Sequence, residues 1–144
     1  MTQADHVATA EVAITAPAEQ VWEALADPDR LPELWFGATV RTTWQPGSPI
    51  TWDGVWKGTP YQDRGEILVF DPPRLLRLTH FSPLSGEPDE PENHHILEFA
   101  LSGDGATTRV VLSQSNNSSA EAARHAQEMW EQLLQTLKET VESS

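Results

Sequence analysis

The chain has 144 residues, with 9 Lys and Arg against 22 Asp and Glu, no Cys and 6 Trp. A formal charge of -13 repels phosphate backbones and removes the counterion release that drives nucleic-acid association, which argues against DNA and RNA as partners. Without Cys there are no disulfides, thiol nucleophiles or cysteine metal sites, and 38% apolar residues at this length suit one self-supporting core, a single domain over residues 1–144.

Residues 6–14, HVATAEVAI, alternate in polarity through Val7, Val12 and Ile14 and predict a first strand. The opening MTQADHVATAEVAI has no signal-peptide pattern and no apolar run is long enough to span a bilayer, so a cytoplasmic protein without membrane insertion is expected. Thr15-Ala16-Pro17 reads as a helix start: the hydroxyl can cap free amides, and proline is tolerated in a first turn that needs no donor there. Val21, Trp22 and Leu25 give that helix an apolar side. Asp27-Pro28 breaks it, and a second short helix is expected through Leu31, Leu34, Trp35 and Phe36 up to Gly37.

From 38 to 116, turns at Gln45-Pro46-Gly47, Lys57-Gly58-Thr59-Pro60, Asp71-Pro72-Pro73, Ser85 to Pro91 and Gly103-Asp104-Gly105 divide six strands of an antiparallel meander. The Pro- and acid-rich segment 83–92 reads as an exposed hairpin loop. Ser118 or Ser119 can cap a last helix, in which Ala123, Gln127, Trp130, Leu134, Leu137 and Val141 recur at spacings of four and three and form one apolar stripe.

Opposed residues on antiparallel strands keep a constant sum of numbers, so symmetric turns predict the register. This opposes Ile67 to Leu78, Val69 to Leu76, Leu78 to Leu97, Leu76 to Phe99, Phe99 to Val110 and Leu97 to Leu112, all on one face. Arg77 falls opposite Glu98 on the other face with Glu66 and Arg109, as a solvated surface requires. On the inner face His80 opposes His95 and His95 opposes Gln114, polar groups towards one end of an apolar concavity.

The order strand, two short helices, six strands, long helix resembles the helix-grip (SRPBCC) superfamily of START and birch-pollen-allergen-like domains. A more specific resemblance, to the family named for activators of the heat-shock protein 90 ATPase, is carried by Ile14-Thr15-Ala16-Pro17-Ala18-Glu19-Gln20-Val21-Trp22-Glu23-Ala24-Leu25 and Trp52-Asp53-Gly54. It continues in Arg64-Gly65-Glu66-Ile67-Leu68-Val69-Phe70-Asp71-Pro72-Pro73-Arg74-Leu75-Leu76, in Thr108-Arg109-Val110-Val111-Leu112, and in Met129-Trp130 and Leu137-Lys138. The resemblance covers nearly the whole chain and implies an α+β fold, a curved antiparallel sheet of about seven strands wrapped over a long C-terminal helix. It also implies a cavity between them. This chain departs from the family at Met129, where Gly is frequent, and at His80, where an aromatic is frequent.

Such a cavity would be lined by Trp35, Trp52, Trp56, Ile67, Leu78, His80, His95, Leu97, Phe99, Val110, Leu112, Gln127, Trp130 and Leu134. Taken singly, Trp44, Trp52, Trp56 and Trp130 read as core before they read as ligand contacts. His94 and His95 are adjacent on a strand and point to opposite faces, so they cannot share an ion; His80 and His95 lack an evident inward Asp or Glu, so no metal or other cofactor is expected. No Gly-x-Ser-x-Gly elbow and no evident Ser, His and acid set support nucleophilic catalysis. The first expectation is therefore a binder of a small hydrophobic molecule. By analogy with superfamily relatives, a polyketide cyclase-like or hydrolase-like enzyme using His80 or His95 as acid and base is the alternative. A third reading, a co-chaperone-like module that stimulates a chaperone ATPase, follows from the family resemblance and from an acidic surface able to steer a basic partner.

Overall fold

The computed structural model describes residues 6–26, 35, 37–82, 88, 90, 93–117 and 119–143, with the backbone alone at Trp56. The elements are β1 (His6–Ile14), α1 (Ala18–Ala26), β2 (Thr39–Thr42), β3 (Pro49–Trp56), β4 (Thr59–Asp71), β5 (Leu75–His80), β6 (His95–Gly103), β7 (Thr108–Asn117) and α2 (Ala120–Glu142). Apart from Trp35, the second short helix expected through Leu31, Leu34 and Phe36 lies outside the described residues, as do Ser118 and most of the 83–92 loop.

The seven strands form one curved antiparallel sheet in the order β1-β7-β6-β5-β4-β3-β2. Every pairing except β1 with β7 joins strands adjacent in sequence. Lys57 and Gly58 both take positive φ, 50° and 80°, giving the two-residue turn whose twist matches the β3–β4 hairpin. Gly65 meets a different demand. A Cβ built there would lie 1.8 Å from the Thr79 carbonyl oxygen, so only hydrogen fits where β4 passes β5.

The predicted register holds for β5 and β6, where Leu76, Leu78 and His80 oppose Phe99, Leu97 and His95, with Arg77 opposite Glu98 and donating to it from Nε at 2.9 Å. Two corrections apply. A bulge between Ile67 and Val69 adds a residue to β4, so Phe70 rather than Val69 opposes Leu76. In the last hairpin Gly103 pairs with Thr108, and Asp104 Oδ1 accepts from the amides of Ala106 and Thr107 at 3.0 Å each, closing a wider loop than symmetry about Gly103 to Ala106 assumes. Phe99 therefore opposes Leu112, Leu101 opposes Val110, and Leu97, not His95, opposes Gln114. The slip is two residues. Strand side chains alternate with period two, so every residue keeps its face.

Helix α2 starts at Ser119, whose Oγ accepts from Ala122 N at 3.0 Å, and lies against β1, β7 and α1. Its buried stripe is Ala123, Ala126, Trp130, Leu133, Leu134, Leu137 and Val141. Gln127 is exposed, contrary to the expected stripe, because a 3.6-residue turn centred on Ala126 and Trp130 carries position 127 to the solvent side. The far end of α2 is tied to the end of β1. Lys138 Nζ donates to Ala13 O at 2.8 Å and to Glu142 at 2.7 Å, and Glu142 accepts from Thr15 N at 2.9 Å. Ile67, Leu78, Leu97, Phe99, Val110, Leu112 and Leu134 are each at most 1% exposed and fill the space between sheet and helix.

Candidate functional site

Alternation along two neighbouring strands builds one end of the concave face. On β3 it brings Ile50, Trp52 and Gly54 to the same side; on β4 it does so for Tyr61, Asp63, Gly65 and Ile67. Pairing then sets Trp52 opposite Asp63 and Gly54 opposite Tyr61. Gly54 admits the Tyr61 ring, since a Cβ there would stand 2.6 Å from the phenol oxygen. His80 joins from the end of β5 and Trp130 from α2.

Here the core stops short and leaves a cavity of about 260 Å³, lined by Trp35, Ala38, Trp52, Tyr61, Asp63, His80, Ser82, Met129 and Trp130. Trp35 forms the aromatic hub of its walls, with ring centroids 5.6 Å from Trp52, 5.8 Å from Trp130 and 6.1 Å from Phe99. Met129, 40% exposed, marks the side open to solvent.

The polar groups fall into two sets. In the first, Trp130 Nε1 donates to Gln114 Oε1 at 2.9 Å, Gln114 Nε2 donates to Asn117 Oδ1 at 2.6 Å, and Asn117 Nδ2 donates to the His6 carbonyl at 2.6 Å. This chain is closed. The second set contains a His80 Nε2 to Asp63 Oδ2 contact of 2.9 Å, with side chains only 17% and 14% exposed. A carboxylate only accepts, so Nε2 carries the proton and donates. Beyond that bond the set is open: Trp52 Nε1, Asp63 Oδ1 and His80 Nδ1 are buried and have no hydrogen-bond partner among the described residues. A buried polar group without a partner costs about 1–3 kcal/mol, so three in one place are a concentrated expense of folding.

Tyr61 stays protonated well into the alkaline range. Burial pushes its phenol above the ordinary value, and the neighbouring Asp63 carboxylate pushes it further. The cavity thus offers a neutral hydroxyl beside a carboxylate, an imidazole and an indole N–H.

The sequence profile of the family described as "Activator of Hsp90 ATPase homolog 1-like protein" matches residues 15–142. The chain belongs to this family. Among solved structures, ChR145 from Cytophaga hutchinsonii is 41% identical, with a TM-score of 0.83 over 95% of this chain and 94% of that one. MLL2253 from Mesorhizobium loti shares the fold at 19% identity and a TM-score of 0.77, over 96% of this chain and 98% of its own. The Aha1 dimer from Colwellia psychrerythraea shares it at 20% identity and 0.70, over 94% and 95% of the two chains. No curated protein matches the chain in sequence.

Within this family fold, the residues expected to line the cavity separate into groups. Trp35, Trp52, His80 and Trp130 line it. Ile67, Leu78, Leu97, Phe99, Val110, Leu112 and Leu134 belong instead to the packed core, in one buried cluster with side chains of α1 and α2. Gln127 faces solvent, and the Trp56 side chain is outside the described residues. His95 stands behind His80, their rings nearly parallel at 6.3 Å, with its Nδ1 3.2 Å from the Ser115 carbonyl oxygen. The expectation that no acid faces inward is overturned by Asp63. Counting by twos back from Ile67 through Gly65 would have found both Asp63 and Tyr61, whereas Ala38, Ser82 and Met129 carry no such signal. His80 and Met129 both lie on the cavity wall. No three His, Asp or Glu converge to hold a metal ion among the described residues, and no helix there is long and apolar enough to cross a membrane.

Proposed function

We propose that this protein binds a small, largely apolar molecule in the cavity walled by Trp35, Trp52, Tyr61, His80 and Trp130. The observation that carries this reading is an aromatic cavity of about 260 Å³ whose wall holds three buried, unpartnered polar atoms. That volume lies just under the roughly 300–1,000 Å³ of ordinary ligand pockets and above the ~150 Å³ cavity that accepts benzene, so the guest is of one- or two-ring size. Native mass spectrometry of the freshly purified protein is expected to show an added small-molecule mass that disappears on denaturation. The adduct is expected to weaken in Trp35→Ala, which opens the aromatic hub. A bare protein mass, together with no binding of any one- or two-ring compound, would remove the reading.

A second reading, a cyclase-like or hydrolase-like enzyme, is favoured by the pairing of His80 with Asp63. A carboxylate that fixes the imidazole leaves its other nitrogen as a base towards a bound carbonyl compound. Turnover of the co-purifying molecule, lost in His80→Ala while binding persists, would favour this reading over simple carriage. The chaperone-module reading rests on family membership and on the acidic charge of the chain, and binding to a chaperone with stimulation of its ATPase would support it.

A further inference from the structure

The three open atoms specify more than a greasy guest. Trp52 Nε1 is a donor only, and Asp63 Oδ1 an acceptor only. With Nε2–H committed to Asp63, His80 Nδ1 in the neutral ring is also an acceptor. Trp52 and Asp63 are paired across β3 and β4 on the same face of the sheet, and the Trp52 and His80 rings meet edge to face at 4.9 Å. All three residues line the cavity.

Resting on the small-molecule reading above, we propose that the guest carries a hydrogen-bond donor and an acceptor on neighbouring atoms of a planar aromatic body, as a vicinal aromatic diol or an aromatic carboxamide does. The donor goes to Asp63 Oδ1 and the acceptor takes the Trp52 indole N–H, while His80 Nδ1, directed away from Asp63 by the bond its other nitrogen makes, stands outside that head group. A bare hydrocarbon leaves both atoms unanswered. A carboxylate guest sets like charge beside Asp63. A quaternary ammonium offers neither a donor for Asp63 nor an acceptor for Trp52. The aromatic body follows from the walls, where Trp35, Trp52 and Trp130 present faces and edges to a flat ring. Both atoms are covered in the free protein, so the head group reaches them through a small rotation of the Trp52 ring.

The test is equilibrium dialysis of the full chain against naphthalene, 2,3-dihydroxynaphthalene and 2-naphthamide. The diol, the amide or both are expected to bind roughly ten- to a hundredfold more tightly than naphthalene, which is what two satisfied hydrogen bonds supply. A preference for one of them identifies which chemistry supplies the head group. Trp52→Phe keeps an aromatic wall and removes the donor, and is expected to cut that preference, read as the ratio of diol or amide affinity to naphthalene affinity in the same variant, about tenfold. Asp63→Asn, whose Oδ1 still accepts from His80, turns the free acceptor into a donor and is expected to lower the preference independently, should Trp52→Phe fold poorly. Equal binding of all three compounds, or a preference untouched in a folded variant, overturns the head-group inference and leaves the apolar cavity standing. Failure of all three to bind overturns both.

Discussion

Trp130 on α2 and Trp52 on β3 are both buried between helix and sheet, at 3% and 2% exposure, and both touch the cavity, yet their indole nitrogens have opposite circumstances. Trp130 Nε1 donates to Gln114, and the chain continues through Asn117 to the His6 carbonyl, so that end of the sheet is sewn to α2. Trp52 Nε1 has no acceptor among the described residues, and its neighbours Asp63 and His80 each keep an open atom there as well. The first region spends its polar groups on holding the helix against the sheet. The second leaves three polar atoms open among the described residues, two of which the proposed guest would answer.

The largest effect is expected where the sewn region is cut. Trp130→Ala removes a buried ring from between α2 and the sheet and leaves Gln114 Oε1 without its donor, and should cost about 3–5 kcal/mol in chemical denaturation. Trp-to-Phe substitutions at the two positions sharpen the contrast. Trp130→Phe orphans Gln114, whereas Trp52→Phe removes an atom that is already orphaned, so the first should be the more destabilising by roughly 1–3 kcal/mol. Equal losses would mean that the indole of Trp52 is satisfied after all.

Tyr61 probes the open region without perturbing it, since it is the only tyrosine in the chain. Its phenol is held above the ordinary value of 10.0 by burial first and by Asp63 second. An ultraviolet titration of tyrosinate should therefore show a midpoint above 10.0 that falls part of the way back in Asp63→Asn, because burial remains. The sign for stability follows from the raised value: Tyr61's contribution is whole below the ordinary value and is lost as pH climbs through the raised one. The smallest effect lies at the end of α2, where the hydrogen bond from Lys138, and then that from Thr15 N, hold the exposed Glu142 carboxyl below its ordinary 4.5. This contribution is present above 4.5 and is lost as pH falls through the lowered value, so the gap in melting temperature between the parent and Glu142→Gln should narrow in acid.

Most of the architecture was legible before any coordinates because it is written in local chemistry. Turn residues divide the strands, Ser119 starts α2, and a period of two keeps Leu97 and Phe99 inside even where the last hairpin slips by two residues. The bulge after Ile67 and the Asp104 loop escaped, since one inserted residue or a side-chain cap leaves no mark on polarity alternation. For the site, Trp35, Trp52, His80 and Trp130 were readable as large aromatic or imidazole groups on inward positions. Placing the cavity among the middle strands was the error. Its location depends on how far α2 reaches across the sheet, a long-range distance that no local pattern encodes. Asp63 was hidden for another reason: a lone acid within the polar run Tyr61-Gln62-Asp63-Arg64 reads as solvated until Ile67 fixes the phase of the strand.

The central claim, that the β3–β5 end of the cavity is unsatisfied until a guest arrives, is tested most directly by the indole N–H resonances in a nitrogen–proton correlation spectrum, assigned with Trp52→Phe and Trp130→Phe. In the free protein the Trp130 signal is expected at the downfield position of a hydrogen-bonded indole and the Trp52 signal upfield of it, moving downfield when 2,3-dihydroxynaphthalene or 2-naphthamide is added. A Trp52 signal that already lies with Trp130 in the free protein, and stays there as either compound is added, would contradict the account.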